Sequence, residues 1–314
     1  MDLLCRFGYR FPHLAAEILA RDRHKRRNFR EETITDILMA GLVPFEPFGI
    51  YTNYPSNESL TGEDMDWEFV NEHAVDGRKY LRLHIQAKRA HVAAEKTKPY
   101  WVYRELDHAV GPKPKKVVFG RPAPKPLHGT QHKALVDEAK AIPGCVPLYM
   151  FYHPNGALED ANASLPQIEG VNWMFADLIP QNVTASRWPI ADKRLDKWRP
   201  HFHPLKDLLC FGHGPELIKF DVGEGRSLGF FIRPPSAVPT PGEVEDMLNN
   251  HRGHREGTEV DRLPIRAARV IPDETLEMVR AARNGARKFE ISRPRAIFET
   301  NTLFHELLPV GSEG

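Results

Sequence analysis

The clearest regularity in the chain runs from Tyr80 to Arg89, where Leu81, Leu83, Ile85 and Ala87 alternate with Arg82, His84, Gln86 and Lys88. A period of two puts the first set on one side of a β-strand and the second on the other, so the segment predicts a strand with one packing face and one polar face. Asp66-Trp67-Glu68-Phe69-Val70 alternates in the same way, and Gly49 to Tyr54 reads as a shorter strand before it. Between Arg30 and Leu42 the period changes. Ile34, Ile37, Leu38 and Leu42 fall at helical spacing, Glu32 and Asp36 share another face, and Gly41 with Pro44 marks the end. Leu14 to Ala20 reads as a short helix, residues 98–110 as a helix, and residues 111–126 as a Pro- and Lys-rich excursion that regular structure does not fill. A helix from about Gln131 to Ile142 leads into the apolar run Val146 to Tyr152, which suits a strand buried on both faces. Val171 to Leu178 reads as another strand and Leu205 to Cys210 as a short helix.

Past Gly214 the texture changes to a strand pair near Leu217 to Val222 and Leu228 to Ile232, a Pro-rich turn, and helices over 241–250 and 273–284. The expected architecture is α/β: a mixed central sheet flanked by helices over residues 1–213, with a C-terminal α+β appendage over 214–314. A chain of 314 residues is long enough for this, because single cores stop growing at ~250–300 residues. The net charge of +1 gives no global pull on a polyanion, so nucleic-acid binding would have to come from clustering of the 43 basic side chains. Cys5, Cys145 and Cys210 are too few and too dispersed for a disulfide framework and lack zinc spacing, which fits a reducing cytoplasm. No segment reaches the ~20 apolar residues of a membrane span, and the N-terminal stretch lacks the apolar run of a signal peptide. His201, His203 and His213 match no zinc motif and read as surface histidines.

The candidate chemistry lies on the polar faces of the two strands. Gln86 and Lys88 are two apart and project together; if Asp66 lies on a neighbouring antiparallel strand, its carboxylate and the Gln86 carbonyl can share a hard divalent cation. Lys88 beside that ion would neutralise charge developing on a phosphate. Glu32 on the preceding helix would add a carboxylate, and Glu58 or Asp64 would be a substitute. Plainer readings stand beside these: Asp66 and Lys88 as an ion pair, Glu32 as a carboxylate favoured at a helix N-terminus, and Trp67 and Trp101 as core aromatics, with Trp101 as a base-stacking alternative.

The arrangement resembles the PD-(D/E)xK (restriction-endonuclease-like) nuclease superfamily, with Gln86 before x-Lys as in its Mrr-like branch. Glu32-Thr33 with Asp36, Glu58, Gly62 through Asp66-Trp67-Glu68, Gln86-Ala87-Lys88-Arg89, Gln131 and Pro147-Leu148-Tyr149 also resemble a bacterial family found among prophage and phage-defence genes, over roughly residues 30–212. The resemblance implies Asp66 as the metal-binding acid, Gln86 in place of the second acid, Lys88 as the catalytic lysine and Glu32 as the helical acid. Magnesium or manganese would be held by Asp66, Gln86, Glu32 and Glu58. It further implies hydrolysis of DNA, most naturally duplex, with Arg26, Arg27, Arg89, Lys115 and Lys116 on the phosphates, in a defence or mobile-element setting. By analogy with nucleases of this fold it suggests a homodimer or a defence-system partner. The alternatives are an RNase and a nuclease-fold subunit that binds nucleic acid or a partner without cutting.

Overall fold

The computed structural model describes residues 3–21, 29–55, 64–93, 99–109, 127–211, 216–221, 227–232, 238–253, 263–285 and 291–300. Its centre is a mixed seven-stranded sheet with helices on both faces, the α/β architecture that the periodicities predict. The strands are β1 (Ile50–Asn53), β2 (Asp64–Val70), β3 (Tyr80–Arg89), β6 (Cys145–Tyr152), β7 (Val171–Phe175), β8 (His203–Pro204) and β11 (Arg295–Glu299). Their spatial order is β1-β11-β2-β3-β6-β7-β8. A second pair, β4 (His91–Ala93) and β5 (Tyr100–Val102), and a third, β9 (Glu216–Asp221) and β10 (Ser227–Ile232), are antiparallel ladders of their own. The helices are α1 (Leu3–Ala20), α2 (Glu31–Leu42), α3 (Thr130–Ala141), α4 (Asn155–Ala161), α5 (Leu195–Trp198), α6 (Pro241–Gly253) and α7 (Asp273–Arg283).

Alternation decides which residues meet which layer. Trp67 and Phe69 of β2, Leu83 and Ile85 of β3, and Leu148 and Met150 of β6 form one apolar face, covered by Leu4 and Phe11 of α1, Ile34 and Leu38 of α2, and Val244 and Leu248 of α6. On the other face α3 packs Leu135 and Val136 against Tyr149 and Phe151, and α7 packs Met278 and Val279 against Tyr80 and Ile297. Between those two clusters runs a strip of buried polar side chains. The connection from β3 through α3 to the parallel strand β6 is the crossover that parallel pairing requires.

The C-terminal residues do not form an appendage to this sheet. Arg295–Glu299 enters it between β1, to which it is antiparallel, and β2, to which it is parallel, and all five residues are buried. Phe298 stacks on Phe69 at 4.7 Å and tilts against Trp67 at 5.4 Å. Gly49 is part of the same junction: its φ is +90°, and a Cβ there would stand 2.5 Å from the carbonyl oxygen of Glu299. The division expected at residue 213 is therefore corrected, because β11 completes the core and α6 and α7 cover its two faces.

Three further expectations are corrected. The helix read over 98–110 contains β5 and turns, because a short aromatic and β-branched run has no decisive period. The N-terminal helix, expected over Leu14 to Ala20, begins at Leu3, spans 18 residues and carries Pro12 inside it. Cys5 and Cys210, read as unpaired, are joined in a disulfide that ties α1 to the turn following β8, while Cys145 is a free thiol. From the position of Phe298, Phe298→Ala should lower the free energy of unfolding by about 3–5 kcal/mol, read from urea denaturation followed by circular dichroism. A loss below ~1 kcal/mol would mean that β11 is not part of the cooperative core.

Candidate active site

Strand register decides which polar residues share the strip. On β2 and β3, Glu68 stands opposite Arg82, Asp66 opposite His84, and Asp64 opposite Gln86. Opposed residues of an antiparallel pair project to the same side, so Glu68, Asp66, Arg82, His84, Gln86 and Lys88 share one face. Asp66 is fully buried and its carboxylate is already matched: it pairs with Arg82, accepts a hydrogen bond from Nδ1 of His84 at 2.7 Å, and has Arg293 and Arg295 at 3.9 and 4.0 Å. Burial pushes its pKa up, but the His84 hydrogen bond and the Arg82 charge outweigh that and hold it at about 2. Glu68, also fully buried, accepts from Thr275 Oγ1 at 2.7 Å and has Arg82 and Arg295 at 3.6 Å. Here burial wins over the two arginines and its pKa is raised.

Three guanidinium groups around Asp66 would repel a divalent cation. Asp66 does lie on the antiparallel neighbour of β3 and on the face of Gln86, one register step away, because the strand position opposite Gln86 is Asp64. Further along β3, Lys88 is buried and its Nζ donates to Oε1 of Gln131, in the first turn of α3, at 3.0 Å. Gln131 belonged to the sequence resemblance without a role, and the structure brings it to the lysine.

Glu32 lies in the first turn of α2, in the layer over the apolar face, partly buried, and its Oε2 has no hydrogen-bond partner among the described residues. Arg89 is corrected as a phosphate contact. It follows Lys88 on the strand and so points to the opposite face, where it is buried and donates to the carbonyl of Phe29; burial lowers its pKa to about 10. Glu58, Arg26, Arg27, Lys115 and Lys116 lie outside the described residues.

The strip opens at one end into a cleft of about 170 Å³ lined by Arg82, His84, Glu138, Ile142, Ser292, Arg293 and Arg295. Arg293 spans it, with Nη1 2.7 Å from Nε2 of His84 and Nη2 donating to Glu138 at 3.2 Å. The same Nη1 stands 3.0 Å from Nδ1 of His84, and Glu138 lies 3.5 Å from Nε2, so the imidazole is enclosed by Asp66, Arg293 and Glu138. The sequence did carry a signal for Arg82 and His84, which have the same parity as Gln86 and Lys88. It carried none for Arg293 and Arg295, which arrive with β11.

The DUF6615 family model matches residues 4–302, nearly the whole chain and every described strand. The chain belongs to that family of unknown function. The DUF6615 match runs through α6, α7 and β11, so the C-terminal elements that complete the sheet are part of the family's domain. No curated protein and no solved structure matches the chain.

The matched state of Asp66 has a pH signature. Its folded pKa lies below the unfolded value of ~3.9, so the stabilisation it contributes is present above pH ~4 and is lost as pH falls toward 2. Asp66→Asn should destabilise the protein at neutral pH by about 3–5 kcal/mol, because it strands the buried guanidinium of Arg82. The gap to wild type in urea denaturation should shrink by about 2 kcal/mol between pH 5 and pH 2, on the order of the pKa displacement. A gap that does not change with pH would show that Asp66 is not held ionised by its neighbours.

Proposed function

We propose that the protein is a metal-dependent nuclease that hydrolyses phosphodiester bonds in DNA, with Asp64, Gln86 and Lys88 carrying the chemistry. The observation that supports this most directly is the pairing of β2 and β3. It sets Asp64 opposite Gln86, one step along the same strand face from a buried lysine whose ammonium is oriented by Gln131. An acid, an amide oxygen and a lysine in this relation are what the PD-(D/E)xK resemblance implies, with Asp64 taking the part first given to Asp66. The α/β sandwich of helices on a mixed sheet agrees with that resemblance.

The donors suit magnesium or manganese, since both ions prefer oxygen ligands and Asp64 and Gln86 both offer oxygen. Glu32, first expected to add a carboxylate to this ion, lies on α2 over the opposite face of the sheet and takes no part in the site. An ion bound there would polarise a phosphoryl oxygen and lower the pKa of a coordinated water. Lys88 would place a fixed positive charge where the phosphate becomes more negative, and Gln131 would hold its Nζ in position. Arg293, at the mouth of the cleft on the same face, would meet the backbone of the nucleic acid. We place this activity in the cytoplasm, in phage defence or a mobile element, as the resemblance implies. Among the described residues no helix is long and apolar enough to cross a membrane. Disulfides are rare in a reducing compartment, so thiol alkylation of Cys5 and Cys210 in protein taken directly from cells tests the placement.

Plasmid, linear duplex, single-stranded DNA and RNA should be incubated with magnesium, manganese or EDTA. Cation-dependent cutting of DNA is expected, falling by roughly 10²–10³-fold or more in Lys88→Ala and Asp64→Asn proteins that retain the wild-type circular dichroism spectrum. Cutting that survives both substitutions would overturn the site. Nucleic-acid binding without cutting by any form would make the protein a non-catalytic binding subunit.

A further inference from the structure

The far edge of the sheet carries a second group of side chains with metal-ligating chemistry. β8 is two residues long and begins with His203, whose ring lies on that of Trp173 of β7 with centroids 4.5 Å apart. Against the same ring stands His251, from the last turn of α6, at 4.2 Å between centroids. Asp207, in the short helical turn after β8, places Oδ2 3.2 Å from Nε2 of His251. One ligand atom from each of the three side chains lies within 4.8 Å of the others, and all three residues are partly buried.

We propose that His203, Asp207 and His251 bind a divalent transition-metal ion of the zinc class. Two imidazoles and one carboxylate form a borderline donor set, which selects Zn²⁺ or Co²⁺ over the hard magnesium ion. Tetrahedral zinc at ~2.0–2.2 Å from nitrogen and oxygen keeps its ligand atoms roughly 3.3–3.5 Å apart. The Asp207–His251 separation is already close to that, and ring rotation within the 4.8 Å envelope brings in His203. Beyond the contact between His251 and Asp207, His203 brings a second imidazole within ligand reach of both. Two protonated rings at that spacing would repel each other, whereas neutral rings can share a cation.

The surroundings hold the ligands in place. Trp173 backs the His203 ring, and Arg252, next to His251, pairs with Asp177 at 3.0 Å and lies over Phe175, which fixes the end of α6. Three protein ligands leave a fourth position for water. The site lies on the apolar-face side of the sheet, since Trp173 belongs to that core, and Lys88 is on the other side. Its ion would fasten α6 to the edge strand, independently of the nuclease reading.

The test uses the full chain stripped with EDTA and titrated with Zn²⁺ and, separately, Co²⁺. One equivalent of Zn²⁺ should bind and raise the melting temperature, and Co²⁺ should give visible d–d absorption. His203→Ala and His251→Ala should each weaken Zn²⁺ binding by more than the ~10–100-fold that loss of an outer-sphere partner costs. Lys88→Ala and Asp64→Asn should leave it unchanged, which separates this site from a cation bound on the opposite face. Zinc-edge X-ray absorption on unmutated protein should show imidazole scattering and no sulfur, a readout that does not depend on any variant folding. Wild-type binding in the two histidine variants, a sulfur ligand shell, or no stoichiometric binding by wild type would each overturn the proposal.

Discussion

Four charges buried between three strands set the terms for the rest of the molecule. Asp66 and Glu68 from β2, Arg82 from β3 and Arg295 from β11 sit in a layer where water reaches almost none of them, and each is tolerable only because the others are present. Ions in such a place lose hydration worth several kcal/mol each, so the gain from pairing is modest while the cost of mispairing is large. That asymmetry makes the network a register device. A slip of one residue along β2 would turn two carboxylates into the apolar face and bring Trp67 and Phe69 into the polar strip. The same network explains why a strand from the far end of the sequence belongs in the middle of the sheet, because Arg295 supplies the charge that β2 and β3 cannot balance alone.

What could be read from the residues was whatever depends on local period. β3 was delimited to the residue, α2, α3 and β6 to within a residue or two, and the common face of Gln86 and Lys88 followed from alternation. Features set by distant partners were not legible. Arg-Ala-Ile-Phe-Glu is too short for its period to be decisive, and its place in the sheet depends on the carboxylates that receive Arg295. The choice between Asp64 and Asp66 is likewise a matter of register, and register comes from pairing rather than from the DMDWE string itself. Arg89 shows the opposite case: its burial behind Lys88 follows from parity alone, and charge drew attention away from it. His203, Asp207 and His251 have no motif spacing because three separate elements bring them together.

The sheet thereby keeps the two proposed sites apart. The polar strip, with Lys88 and the arginine-lined cleft, occupies one face between α3 and α7, while the imidazole pair at the edge faces the layer of α1, α2 and α6. Consecutive residues of β3 already divide between these worlds: Lys88 reaches Gln131 and Arg89 reaches Phe29. Because the strands between are packed on both sides, a change on one face reaches the other only through backbone displacement.

The place of β11 also governs when the protein can exist at all. During synthesis β1 and β2 leave the ribosome early, yet the strand that belongs between them follows roughly two hundred residues later, a delay on the order of ten seconds or more at ~5–20 residues per second. Until then the nascent chain has to keep two hydrophobic strand edges apart that would otherwise meet each other or a neighbouring polysome's product. The sheet is in this sense closed by the last of its strands to be made, long after the two that flank it.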